Sequence, residues 1–245
     1  QREMDLAASI QLVAEEILIK ITDYIAINYK YENLCLAGGV ALNCVINSKI
    51  IERNKFKRVW IQPASGDAGG SIGAALAFWY MGLNKKRIVS SKFSMKGSLL
   101  GVKYSNEDIK SLLDEQGAKY NEYGNIIDKT AQLLSEGRTI GWFQGKMEFG
   151  PRALGNRSIL ADPRIKNMQR DLNQKIKFRE SFRPFAPAIL EEDLSEWYDV
   201  ETKNEFMLTT SYLKEEKRKD LTKNQMEIKG FELLEIDRSI IPAVT

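Results

Sequence analysis

The 245-residue chain is predicted to be an α/β protein, and two observations carry the prediction. A short apolar run, a glycine-bearing turn and a helical stretch follow one another twice within the first 81 residues. Helical periodicity then returns beside further short apolar runs. Alternation of this kind packs helices against a sheet. The length suffices for one or two cores without disulfide or metal staples.

The elements follow in order. Leu6, Ile10, Val13, Ile17, Ile21 and Ile25 recur every three or four residues, predicting an amphipathic helix over about 5–28. Leu34-Cys35-Leu36-Ala37 reads as a strand, then Gly38-Gly39, then a helix over about 41–53. Val59-Trp60-Ile61 is a second strand. It is followed by the loop Pro63-Ala64-Ser65-Gly66-Asp67-Ala68-Gly69-Gly70 and a helix over 71–81. Between 82 and 103 periodicity fades and Lys85-Lys86-Arg87 and Ser90-Ser91 gather, as expected of a packed inter-domain connection. Ser105 and Asp108 predict a capping box opening a helix to about 116. A short strand near 119–123, a helix over 126–136 and the strand Thr139-Ile140-Gly141-Trp142-Phe143 complete the regular part.

Composition excludes several chemistries. The chain has no His, which removes imidazole bases, Ser-His triads and His metal ligands from it. Cys35 and Cys44 form no CxxC pair, so the expectation is two buried, inert thiols in a reducing, cytoplasmic setting. A net charge of +3 is too small to argue for nucleic acid. No apolar run is long enough to span a bilayer, and residues 1–5 show no signal-peptide pattern. Function must therefore rest on Arg, Lys, carboxylates, hydroxyls and backbone groups.

Two kinds of segment can meet an anion. Gly38 and Gly39, and Gly66, Gly69 and Gly70, stand where strands give way to helices, where a backbone without Cβ lets a phosphate reach a helix N-terminus. Asp67 can ligate a metal there or simply cap its helix. Neither loop matches a P-loop or GxGxxG, and on spacing alone tight turns are the favoured explanation. The densest motif is Gln144-Gly-Lys-Met-Glu-Phe-Gly-Pro-Arg-Ala-Leu-Gly-Asn-Arg-Ser-Ile159. Its glycines keep the main chain open while Lys146, Arg152 and Arg157 project from it. Such cations repel unless an anion joins them, and arginine suits a phosphate best. The competing reading is a solvated loop with Glu148 as counter-ion. Residues 157–183 carry eight Lys or Arg against three acids. Met168, Leu172 and Ile176 at helical spacing leave many of those charges on the solvated face of one amphipathic helix. Pro184 and Pro187 make 181–190 irregular, and Trp197, Tyr198, Phe206, Met207 and Leu208 read as core.

Residues 34–43 (Leu-Cys-Leu-Ala-Gly-Gly-Val-Ala-Leu-Asn) with 62–70, and residues 145–164 with Phe182-Arg-Pro-Phe-Ala-Pro187, resemble the carbamoyltransferases of nodulation-factor, cephamycin and tobramycin tailoring. The resemblance implies the later half of an actin-like (Kae1-like) ATPase domain over 1–95, followed by a YrdC-like domain over 96–245. Both would be truncated, so that the chain alone is expected not to turn over. It further implies that Gly38, Gly39 and Asn43 line a nucleotide site and that Asp67 is one ligand of a divalent metal, iron or magnesium. Lys146 and Arg152, with Arg157 and Ser158 beside them, would bind carbamoyl phosphate. Carbamate released there is adenylated by ATP and its carbamoyl group passes to a hydroxyl-bearing small-molecule acceptor. No membrane or nucleic-acid partner is implied. Two alternatives stand beside this: a relative of the tRNA threonylcarbamoylation machinery, and a non-catalytic RNA-binding module using the basic stretch, which predicts steeply salt-dependent affinity.

Overall fold

A computed structural model of the chain describes residues 2–89, 95–200 and 204–244. It separates into two compact units. The first holds the described residues of Gln1–Leu100 with Glu148–Arg152 and Thr202–Ser211. The second holds those of Gly101–Met147, Ala153–Glu201 and Tyr212–Thr245. The sequence predicts a single division at 95/96.

The first unit is built on α1 (Arg2–Tyr29), β1 (Asn33–Leu36), α2 (Cys44–Glu52), β2 (Arg58–Ile61) and α3 (Asp67–Ala77). The two strands are parallel, pairing Leu34 with Val59 and Leu36 with Ile61. Parallel neighbours need a crossover, which α2 supplies. Its core is Leu34, Ile46 and Ile50 packed against Ala14, Leu18, Phe56 and Val59. A second cluster joins Ala41 and Ile61 to Leu208. Ion pairs Glu15–Lys49 and Asp23–Arg53 fasten α1 to α2.

Several expectations are corrected here. The helix expected over 41–53 is a 3-10 turn (Gly39–Leu42) and then α2, because the Asn43 side chain accepts a hydrogen bond from the Ile46 N–H (3.1 Å) and starts the helix afresh. Cys35 is exposed and Cys44 half-buried, not both buried. Strand alternation turns Cys35 to the opposite face from the buried Leu34. On α1 the periodic residues Leu6, Ile10, Val13, Ile17 and Ile21 are exposed. The face that packs is that of Ala14, Leu18, Glu15 and Thr22. The helix is apolar on more than one side, and periodicity alone does not say which side is covered.

In the second unit Ser105 and Asp108 form the expected capping box at α4 (Asn106–Glu115). The Asp108 N–H donates to Ser105 Oγ (3.0 Å), and Asp108 Oδ2 accepts from the Ser105 N–H (2.9 Å). α5 (Ile126–Ser135) leads into β3 (Ile140–Phe143), antiparallel to β4 (Arg157–Leu160). The strand expected at 119–123 is absent: these residues pair with no strand, and Tyr120 Oη donates to Asp114 Oδ1 instead. α6 (Met168–Asp171) runs into a π turn (Leu172–Ile176). Met168, Leu172 and Ala243 form a core with Ile159, Ala161 and Phe185, while Lys166, Arg170, Lys175 and Lys177 face solvent as expected. α7 (Leu194–Trp197), the short antiparallel pair β5 (Tyr198–Asp199) and β6 (Tyr212–Leu213), and α8 (Lys223–Met226) complete the unit. In the connection over 82–103, Met95 is buried; Ser90 and Ser91 lie outside the described residues. No helix among the described residues is long and apolar enough to cross a membrane.

Candidate functional site

In the first unit both glycine turns follow the C-terminal ends of β1 and β2, the edge of a parallel sheet at which ligands characteristically bind. The turns are tied together. The Gly38 N–H donates to the Ser65 carbonyl (2.8 Å), the Gln62 N–H donates to the Leu36 carbonyl (3.0 Å), and Gly66 lies against the Leu42 side chain. Gly38 has φ 99°, a conformation few residues other than glycine adopt, and a Cβ placed on Gly38 or Gly39 would meet nothing within 4 Å. The space over this turn is open. Asn43 is already engaged: besides capping α2, its Nδ2 donates to Gln11 Oε1 (2.8 Å). Asp67 stands exposed in the first turn of α3, where a negative charge suits the helix dipole.

Asp67 alone is not a metal site. Among the described residues no group of three His, Cys, Asp or Glu side chains is arranged to hold an ion, so these residues by themselves do not fit one. No chemical step is routed through a metal below.

The motif over 144–159 is divided between the units. Glu148–Arg152 belongs to the first. Phe149 N–H donates to the Ser98 carbonyl (2.7 Å), and at Gly150, φ 126°, a Cβ would come within 3.2 Å of Ala64. This close approach sets Arg152 beside the first glycine turn, its Nη2 3.4 Å from the Leu42 carbonyl. Arg152 Nε and the hydroxyl of the 6% exposed Ser65 are buried and have no hydrogen-bond partner in the protein, as has Ser98 Oγ. Each such atom costs about 1–3 kcal/mol if left unpaired.

Lys146, Arg157 and Ser158 belong to the second unit. Lys146 is exposed and makes no ion pair among the described residues. Its backbone bridges to Lys103, and its carbonyl accepts from Asn156 Nδ2 (2.7 Å). Arg157 folds back on its own loop: Nη1 donates to the carbonyls of Gln144 (2.7 Å) and Asn156 (2.8 Å), Nη2 to Gly145 (3.2 Å), and the guanidinium stacks 3.4 Å over the Phe143 ring. Much of its donor capacity therefore shapes the loop around Lys146. Ser158 Oγ accepts from the Gly155 N–H (2.9 Å).

Sequence reasoning missed two buried asparagines. Asn47, 1% exposed, donates from Nδ2 to the carbonyls of Ala41 and Leu208, both at 2.9 Å, and so binds 204–211 to the first glycine turn. Asn173, 0% exposed, donates to the carbonyls of Ser181 (3.1 Å) and Arg183 (2.8 Å) and accepts from Arg179 Nε (2.7 Å), folding the 179–183 segment. The available signal was a carboxamide at a helical position beside apolar neighbours. A cavity of about 300 Å³ lies between Arg170, Phe182 and Phe231; none of the predicted site residues lines it.

Glycine turns at the ends of parallel strands, followed by a cationic glycine-rich loop, define an α/β protein with two places suited to anionic ligands. The chain belongs to the carbamoyltransferase family: residues 1–76 match the model of the carbamoyltransferase N-terminus and residues 131–230 that of the carbamoyltransferase C-terminus. It is 48% identical to an uncharacterized protein of Synechocystis over its whole length, which is 40% of that relative. It is 38% identical to nodulation protein NolO of Bradyrhizobium diazoefficiens over 82% of this chain and 36% of the relative. To nodulation protein NolNO of Sinorhizobium fredii it is 34% identical, over 84% of this chain and 30% of the relative. The chain thus spans well under half the length of these relatives.

Proposed function

We propose that the protein of which this chain forms part transfers a carbamoyl group from carbamoyl phosphate to a hydroxyl-bearing small molecule, consuming ATP and passing through a carbamoyl adenylate. The observation that carries the reading is the presence of both carbamoyltransferase segments in one chain, the second holding the cationic loop of Lys146. In this reading the first unit is the actin-like (Kae1-like) part and receives the nucleotide over Gly38 and Gly39, with Asn43 holding the turn in place. Asp67 supplies at most one carboxylate to any metal. The second unit is YrdC-like. Its Lys146, with Ser158, receives the phosphoryl oxygens of carbamoyl phosphate, and Arg157 fixes the shape of the loop. A cation at the phosphoryl group would stabilise the charge that develops as it leaves, without any imidazole.

The test is the melting temperature of the 245-residue chain with carbamoyl phosphate, against sulfate at equal ionic strength. A ligand at a hundred times its dissociation constant stabilises the folded state by about 2.7 kcal/mol, a rise of roughly 5–10 °C for a chain of this size. The expected result is a rise with carbamoyl phosphate alone, lost in Lys146→Ala. An equal rise with sulfate, or one that survives Lys146→Ala, refutes the assignment of the donor to this loop.

A further inference from the structure

Resting on the reading that the Lys146 loop receives carbamoyl phosphate, we propose that Lys103 is the second cation of that site. The two lysines hold the phosphoryl oxygens between their ammonium groups. Lys103 stands outside both stretches that match the carbamoyltransferase models, residues 1–76 and 131–230. In the sequence it closes a stretch that reads only as an inter-domain connection. Backbone pairing is what brings it to Lys146.

Lys103 and Lys146 are partners in an isolated antiparallel bridge. The Met147 N–H donates to the Val102 carbonyl (2.9 Å) and the Gly101 N–H to the Met147 carbonyl (2.9 Å), all within the second unit. The register is fixed, because a Cβ on Gly101 would lie 2.8 Å from the Met147 carbonyl oxygen. The loop holds Lys146 as well: its carbonyl accepts from Asn156 Nδ2 (2.7 Å), and Arg157 Nη2 donates to the Gly145 carbonyl (3.2 Å). Residues directly opposite in an antiparallel pair project from the same face, with Cβ atoms about 4.5–5.5 Å apart. Both lysines are exposed, so a ligand can reach them from solvent.

Like charges set opposite one another destabilise the pairing, and the protein's own acids do not relieve it. Neither lysine side chain makes a hydrogen bond or an ion pair among the described residues. Glu148, two positions from Lys146, is 8% exposed, packs with the first unit and is already engaged. On the Lys103 side, Asp108 is occupied in the capping box with Ser105, and the exposed Glu107 pairs with neither lysine. A dianion between the two ammonium groups removes the repulsion and gains charge-assisted hydrogen bonds from both. Each lysine has three donors on a flexible stem, which suits the tetrahedral oxygens of a phosphoryl group.

The experiment follows binding of carbamoyl phosphate, inorganic phosphate and sulfate to the 245-residue chain by calorimetry, with melting temperatures of the free proteins alongside. Lys103→Gln and Lys103→Arg are compared with Lys146→Ala and with Lys119→Gln, an exposed position in a stretch that pairs with no strand. Lys103→Gln should weaken carbamoyl phosphate roughly 10-fold, as expected for a lost hydrogen bond to a charged group. Lys103→Arg should recover most of the affinity, and Lys119→Gln should match the parent. The free proteins should show the opposite sign. At low ionic strength Lys103→Gln should melt up to a few degrees above the parent, a gain that fades as salt screens the repulsion. A residue that only held the loop together would lower stability and binding alike, so a free Lys103→Gln protein that melts below the parent overturns the inference. Binding that requires Lys146 but not Lys103 overturns it too, and leaves the transfer reading standing. Phosphate and sulfate bound as tightly as carbamoyl phosphate, with both lysines required, would uphold the two-lysine site and overturn the donor assignment. No anion bound by the parent overturns both.

Discussion

Replacing Gly69 by Ala should sharply destabilise the first unit, whereas the same change at Gly73, four residues along the same helix, should stabilise it. Both positions are interior to α3, where alanine is favoured over glycine by about 1 kcal/mol. They differ in what surrounds them. A Cβ on Gly73 would meet nothing within 4 Å, so that substitution keeps the full helix gain. A Cβ on Gly69 would lie 2.0 Å from the Ala64 carbonyl oxygen, about 1 Å inside the closest approach that real side chains show. The obstacle is main chain and cannot rotate away. Either α3 shifts or the 63–66 loop does, and the loop is tied to Gly38 through Ser65. Overpacking of this kind costs roughly 1–3 kcal/mol or more, enough to cancel the helix gain and leave a net loss of up to about 2 kcal/mol. The two variants should therefore differ by roughly 1–3 kcal/mol, or several degrees in melting temperature. Urea unfolding followed by far-ultraviolet circular dichroism would measure this. If Gly69→Ala proves as stable as Gly73→Ala, the close approach of α3 to the loop is wrong, and with it the geometry assigned to the glycine turns.

Two further outcomes follow from the buried polar contacts. Asn47→Ala leaves the Ala41 and Leu208 carbonyls without their shared donor and should cost about 1–3 kcal/mol. Amide hydrogen exchange should quicken first at residues 204–211, and unchanged protection there would refute the link. Asp162 is 7% exposed, and hydrogen bonds from Arg164 Nε (2.9 Å) and the Arg164 N–H (2.9 Å) hold its carboxyl below the usual carboxylate range. A depressed folded value means that the stabilisation is present above the ordinary aspartate pKa and is lost as pH falls through the lower folded value. Asp162→Asn should accordingly lower stability at neutral pH and flatten its decline on acidification. A variant whose stability runs parallel to the parent's from pH 7 to 3 would show that the pair contributes nothing.

What was legible in the sequence was local. The capping box at Ser105 and Asp108, the α5 helix, the Pro-interrupted stretch after 181 and the cationic loop depend on neighbours within a few residues, and all appear where they were expected. The strand at 119–123 failed for the converse reason, since a strand exists only where a second one hydrogen-bonds to it and none reaches these residues. The side of α1 that packs was equally hidden, because its apolar residues wrap more than one face and only contact with β1 and α2 selects among them.

The candidate site divides along the same line. Residue types, with glycines after strands and Lys and Arg in an open loop and no imidazole anywhere, were set by the sequence, and with them the carbamoyltransferase resemblance that the family models bear out. Which residues stand together was not. Arg152 is six positions from Lys146 along the chain and 110 from Leu42, yet its side chain meets Leu42. Asn47 reaches 161 residues forward to Leu208. Contacts of that range form because the chain must bury Ala64, Ile61 and Leu208 and satisfy the backbone groups around them. That burial is a property of the packed unit, which no stretch of sequence holds by itself.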